Sequence, residues 1–183
     1  RDLVRSRGLG DVYKRQTYIR HYMKQYGYVP LWVLLNVLTI GQLSKIYTCQ
    51  KGRIQIKVCQ DFGPIKINEM AKILAVMTKF RNVCAHNDRL FDYRTKDAIL
   101  DMKIHERLMI CRIQGRYQYG KNDLFALVII LKSLLPIDEF KQFFHDLKSC
   151  FKNHPIHNEI LERMGFPKNW ARIGRIKKYT KYK

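Results

Sequence analysis

An all-α fold is predicted by three stretches of this chain. Met70, Ile73, Leu74, Met77 and Phe80 recur at the three-, four- and seven-residue spacing of one helical face. Leu124 to Leu135 is a continuous apolar run, opened by the N-cap residue Asp123 and stopped by Pro136. Phe140, Phe143, Phe144, Leu147 and Phe151 then line one side of a further segment. A chain of 183 residues fits one domain with a usable core, and 46% hydrophobic residues argues against global disorder.

Taken in order, residues 1–16 carry no period and read as a non-native or disordered leader, resembling read-through of a sequencing adapter. Residues 17–28 are rich in Tyr and basic side chains. Pro30 suits the first turn of a helix running through Trp32, Leu35 and Leu38 towards Tyr47, with Trp32 and Tyr47 both expected in the core. Residues 50–63 are ambiguous: Ile54, Ile56 and Val58 alternate as in a strand, between Gly52 and Gly63. Asn68-Glu69 leads into the amphipathic helix that ends near His86. From Phe91 to Gly120 the pattern is irregular, with a short helix expected somewhere between Ile99 and Ile110. Asp138 is expected to cap the Phe-striped helix, and a short helix from Asn158 to Met164 ends at Gly165, which suits a C′ position.

The charge is strongly one-sided. Lys and Arg total 35 against 15 Asp and Glu, a net charge of +20 with a pI near 9.9. Such an excess is the electrostatic footprint of a polyanion binder. The final stretch concentrates it: Lys168, Arg172, Arg175, Lys177, Lys178, Lys181 and Lys183 occur without one acid, beside Trp170, Tyr179 and Tyr182. Cations for phosphate and rings for stacking suit RNA, and a solvated tail would carry the same composition. Five cysteines, an odd number with no C-x-x-C pair, fit reduced thiols in a cytoplasmic protein. The longest apolar run, Leu31 to Ile40, is far short of the roughly 20 residues of a membrane span, so no membrane partner is expected. Cys150, His154 and His157 have part of a zinc spacing, but Pro155 intervenes and a fourth ligand is missing. No metal site and no cofactor are therefore expected, and few acids cluster as two-metal chemistry would require.

The candidate chemistry sits in Arg81-Asn82-Val83-Cys84-Ala85-His86. Arg holds phosphate in a planar fork, and His exchanges protons near neutral pH. Asn82 and His86 share a helical face, whereas Arg81 and His86 are about 140° apart on a straight helix. They converge on one ligand only if the helix ends or bends, or if two copies contribute. The alternative is that the cations simply complement a helix C-terminus.

Arg81-Asn82-Val83-Cys84-Ala85-His86 resembles the Arg-(Asn)-four-residue-gap-His motif of HEPN domains, in particular the bacterial abortive-infection (Abi) family of the AbiD/AbiF type. Three further stretches resemble that family in order: Pro30 to Tyr47, Asn122 to Leu135, and Met164 to Trp170. The resemblance implies an Abi/HEPN-like helical bundle over 17–171 and a basic tail over 172–183. Because the family's chains begin well before the point matched by Thr17, it also implies a bundle incomplete at its N-terminus. It further implies an antiviral defence protein acting as a metal-independent endoribonuclease. His86 would be the acid/base, Arg81 the phosphate stabiliser, and Asn82 and Arg89 supporting residues. RNA would be the substrate, a homodimer the working unit, and the cytoplasm its place. Two other readings remain open: a non-catalytic protein working with a structured non-coding RNA, and a HEPN interaction or toxin–antitoxin subunit.

Overall fold

The structure, a computed structural model, describes residues 17–153 and 158–177. Among these residues it is all-α apart from one two-stranded hairpin. The chain divides into two compact units, Arg1–Leu43 and Ser44–Lys183. Among the described residues no helix is long and apolar enough to cross a membrane.

In the first unit, α1 (residues 17–26) ends where Gly27 adopts φ +73° and returns its N–H to the Met23 carbonyl, 3.1 Å away. Next, α2 (Leu31–Val37) follows Pro30, whose carbonyl accepts the Val33 and Leu34 amides. The single helix expected from Pro30 to Tyr47 is in fact two. Leu38 is extended, and α3 (Ile40–Cys49) starts afresh at Thr39. The cause is a capping box: Gln42 Oε1 accepts the Thr39 amide at 2.8 Å, and the Gln42 amide donates to Thr39 Oγ1 at 3.2 Å. Trp32 is also not a core residue. It is 62% exposed, and its ring meets that of Tyr22 edge to face, 5.8 Å between centres.

The second unit holds the main core. Tyr47 is buried as expected: its hydroxyl lies 3.1 Å from Cys59 Sγ and 3.3 Å from the Ile67 carbonyl. Burial raises the Tyr47 phenol well above its ordinary range. The ambiguous stretch is helix α4 (Gly52–Asp61), with Cys59 inward and Ile54 and Ile56 partly in solvent. The long α5 (Ile67–Ala85) turns Met70, Ile73, Val76, Phe80 and Val83 to the interior. It packs on α4 and on α7 (Leu124–Leu134). Asp123 caps α7 as expected, accepting the Ala126 amide at 2.8 Å. Phe125, Ala126, Ile129 and Ile130 on α7 are almost wholly enclosed.

Between α5 and α7 lie the short α6 (Lys103–Arg107) and the hairpin of β1 (Arg112–Ile113) and β2 (Arg116–Tyr117). Its two loop residues, Gln114 and Gly115, both have positive φ, as a type I′ turn requires. After Pro136 comes α8 (Ile137–Asn153). The Pro136 carbonyl accepts the Phe140 amide, so Asp138 is not the cap but lies in the first turn, where its charge still favours the dipole. A short α9 (Asn158–Arg163) closes as expected on Gly165 at φ +88°, with Phe166 N–H returning to the Leu161 carbonyl at 2.8 Å.

The chain then forms a 3₁₀ helix, Trp170–Arg175, packed on α8. Ile173 is fully buried, and Trp170 meets Phe144, Phe151 and Phe166 edge to face. The folded part thus runs past residue 171, and the Trp170 ring serves the core rather than standing free for bases.

Candidate active site at the end of α5

Two apolar side chains fix the end of α5. Phe80 is fully buried and meets Tyr93 edge to face at 5.5 Å, and Val83 is 6% exposed. Between and beyond them, Arg81, Asn82, Cys84, Ala85 and His86 face solvent. The alternation follows from the helical period, since the core-facing positions 80 and 83 leave 81, 82, 85 and 86 outside.

The helix stops in a Schellman motif. His86 is its C-cap, and its amide donates to the Asn82 carbonyl at 3.0 Å. Asn87 takes the left-handed conformation at φ +54°, which Asn tolerates better than most residues. The Asn87 amide reaches the Cys84 carbonyl at 3.4 Å, and the Asp88 amide reaches the Val83 carbonyl at 3.0 Å. The helix therefore ends at His86, whose amide still closes the last turn onto Asn82, and among the described residues no hydrogen bond joins the Arg81 and His86 side chains.

The side chains distribute as follows. Arg81 Nη1 donates to Asn82 Oδ1 at 3.5 Å, the long limit of a hydrogen bond. Asn82 thus faces Arg81 through its side chain and His86 only through its backbone carbonyl. Arg89 forms a two-pronged pair with Asp92, its Nε 2.8 Å from Oδ1, and its guanidinium lies 5.6 Å from the Phe91 ring centre. The pair holds the Asp92 carboxyl below its ordinary range, and a phosphate at Arg89 would have to displace that carboxylate.

The basic C-terminal residues are spread out. Lys168 is exposed after α9, Arg172 and Arg175 are exposed on the 3₁₀ helix, and Lys177 lines a cleft beside the N-terminus of α5. Lys178, Lys181 and Lys183 lie outside the described residues, as do His154 and His157 of the partial zinc spacing. Among the described residues no group of three His, Cys, Asp or Glu side chains could hold a metal ion.

Residues 6–92 match the family model described as Abi-like protein. The Abi-like match takes in the whole of the Arg81–His86 motif and stops at Asp92, so the later resemblances at Asn122–Leu135 and Met164–Trp170 fall beyond it. It begins at Ser6, inside the stretch read as a leader. No curated protein and no solved structure matches this chain.

Sequence reasoning missed a buried polar node in the second unit. His105 is wholly buried; its Nδ1 accepts the Met102 amide at 3.1 Å and its Nε2 donates to the Gly120 carbonyl at 2.8 Å. That pattern is met by one neutral tautomer. The Gly120 amide in turn donates to the Asp123 carboxylate, at 2.9 Å to Oδ2. Burial lowers the His105 pKa and pushes that of Asp123 up to about 6. The node is far along the chain from Arg81 and His86, and its sequence signal is faint: one His at an apolar position of α6 and a Gly three residues before a cap.

Proposed function

We propose that this chain is an abortive-infection defence protein whose Arg81–His86 motif forms a metal-independent endoribonuclease site. What supports the reading is that both side chains stand in solvent at a helix end pinned by Phe80, Val83 and the Asn87 turn, within the Abi-like match.

The reaction is an internal displacement. The RNA 2′-oxygen attacks the adjacent phosphorus while a base removes its proton. The bond from phosphorus to the 5′-oxygen breaks, and an acid returns a proton to that oxygen. The products are a 2′,3′-cyclic phosphate and a 5′-hydroxyl, with no oxidant or metal consumed. His86 takes the proton-transfer role and Arg81 stabilises the charge on the pentacoordinate phosphorus. Asn82 holds Arg81 in place, and Arg89 adds a phosphate contact once Asp92 is displaced.

One imidazole cannot stand at both the attacking and the departing oxygen. A homodimer that brings two α5 ends together supplies two, with RNA between them. Lys168, Arg172, Arg175 and Lys177 contribute longer-range attraction to the strand, and Lys178, Lys181 and Lys183 extend the basic run. The experiment is incubation of labelled RNA and of its all-deoxy counterpart with the protein, with and without EDTA. RNA cleavage that survives EDTA and spares the deoxy strand supports the site. RNA binding without cleavage favours the non-catalytic reading instead.

A further inference from the structure

The second unit contains a cleft that the proposed nuclease site does not use. It holds about 500 Å³, within the size range of small-ligand sites. It opens beside the N-terminal end of α5, whereas Arg81 and His86 occupy the other end. With 19 residues in α5, the two sites are about 30 Å apart along one rigid helix at ~1.5 Å per residue.

The lining has two chemical faces. Lys66, Lys103, Arg107, Lys132 and Lys177 come from four separate parts of the chain and converge on it. Against them stand Glu69, Asp101 and Glu106. Two of these acids are already engaged. Glu69 accepts the Lys66 amide at 2.7 Å, and Asp101 pairs with Lys121 at 2.5 Å and with Arg112 at 3.7 Å. The lining cations outnumber the acids five to three, so the cleft presents a net positive field to a ligand. The other face is apolar, and Phe62, Ile65 and Ile176 are among the side chains it offers to a flat ring.

We propose that this cleft binds a nucleotide, its phosphate on Lys66, Lys103 and Arg107 and its base against Phe62, Ile65 and Ile176. Phosphate chemistry selects the cation face. A base accounts for the apolar face beside it, which a bare inorganic anion would leave unused. The nucleotide can be free or one unit of an RNA strand, and the inference holds whether or not the α5 motif cleaves RNA.

The test uses the full chain carrying His86→Ala, so that no cleavage complicates binding, with methyl-labelled isoleucines. The probes are ribonucleoside monophosphates, a short fully 2′-O-methylated RNA, and inorganic phosphate. Ring currents from a bound base should shift the Ile65 and Ile176 methyls and leave Ile113, on the hairpin, unmoved. Lys66→Glu/Lys103→Glu should weaken binding tenfold or more and flatten its salt dependence, while the Ile113 methyl and thermal unfolding stay as before. Shifts with both nucleotide probes indicate free nucleotide as a ligand; shifts with the RNA alone indicate a strand. Either supports the cleft. Silent Ile65 and Ile176 methyls with both probes would overturn it. So would inorganic phosphate binding as tightly as the nucleotides, or affinity unaffected by the double charge reversal.

Discussion

Arg81 separates a catalytic from a structural reading by its shape as much as its charge. Lysine keeps the charge but loses the planar fork that grips a phosphate. If Arg81 stabilises the transferring phosphorus, Arg81→Lys is nearly as inactive as Arg81→Ala, a loss of about a hundredfold or more in single-turnover cleavage. If it only complements the helix end, Arg81→Lys is close to silent in cleavage, and Arg81→Ala costs at most about 1 kcal/mol of stability.

Asp123 gives a pH prediction. Burial holds its folded pKa at about 6 against 3.8. An acid whose pKa is raised by folding favours the folded state at low pH, and that contribution is lost as pH rises through the folded pKa. Buried His105 works in the opposite sense: its pKa is lowered, so acidification below its ordinary range of about 6.5 destabilises the fold. In wild type the two effects oppose each other. Asp123→Asn removes one of them, so its cost in urea unfolding should grow by about 1 kcal/mol between pH 7 and pH 5. A cost that does not change with pH would contradict the assignment. Asp123 was legible as a cap, but its burial was not, because that depends on Gly165 from a distant turn.

At the scale of elements, Gly165 shows why a C′ glycine can be irreplaceable. A Cβ there would overlap the Asp123 side chain, at a φ of +88° that already disfavours any other residue. Gly165→Ala should therefore destabilise by about 3 kcal/mol or more, read from the unfolding midpoint, because strain and overpacking coincide. A cost under about 1 kcal/mol would mean that α9 can shift freely.

The helices α5, α7, α8 and α9 were readable because their signals are local: a 3.6-residue period, Asp123 before the apolar run, Gly165 after it. The break between α2 and α3 was also written locally, in Thr39-x-x-Gln42, but the apolar run across it masked the box. In α4, Ile54 and Val58 share a helical face, yet the interposed Ile56 imitates strand alternation. Residues 91–120 were opaque for a different reason. Their backbone is held by distant partners, Thr95 on Asn122 and Ile99 on Lys121, both at 2.8 Å, and no window of sequence contains both ends. The site was legible as a motif only. That His86 caps the helix and that Arg89 is already paired with Asp92 needed coordinates.

For the whole molecule, the dominant property is a net charge of +20. If the last six residues take part in RNA binding, their removal deletes Lys178, Lys181 and Lys183. The slope of log K against log salt should then flatten by about 0.7 for each phosphate that is no longer neutralised. The cut must spare residue 173, since Ile173 is fully buried and its loss would unfold the packing on α8. An unchanged slope would leave those lysines as solubilising charge alone.

Whether Arg81 and His86 carry out metal-free RNA cleavage is decided by comparing wild type with His86→Ala. Purified wild type and His86→Ala are incubated with labelled RNA in EDTA, with thermal unfolding and RNA affinity measured on the same samples. Wild type should yield fragments with 2′,3′-cyclic phosphate ends and His86→Ala none, with affinity and stability nearly equal. Cleavage by His86→Ala at the wild-type rate, or wild-type activity that disappears with EDTA, would contradict it.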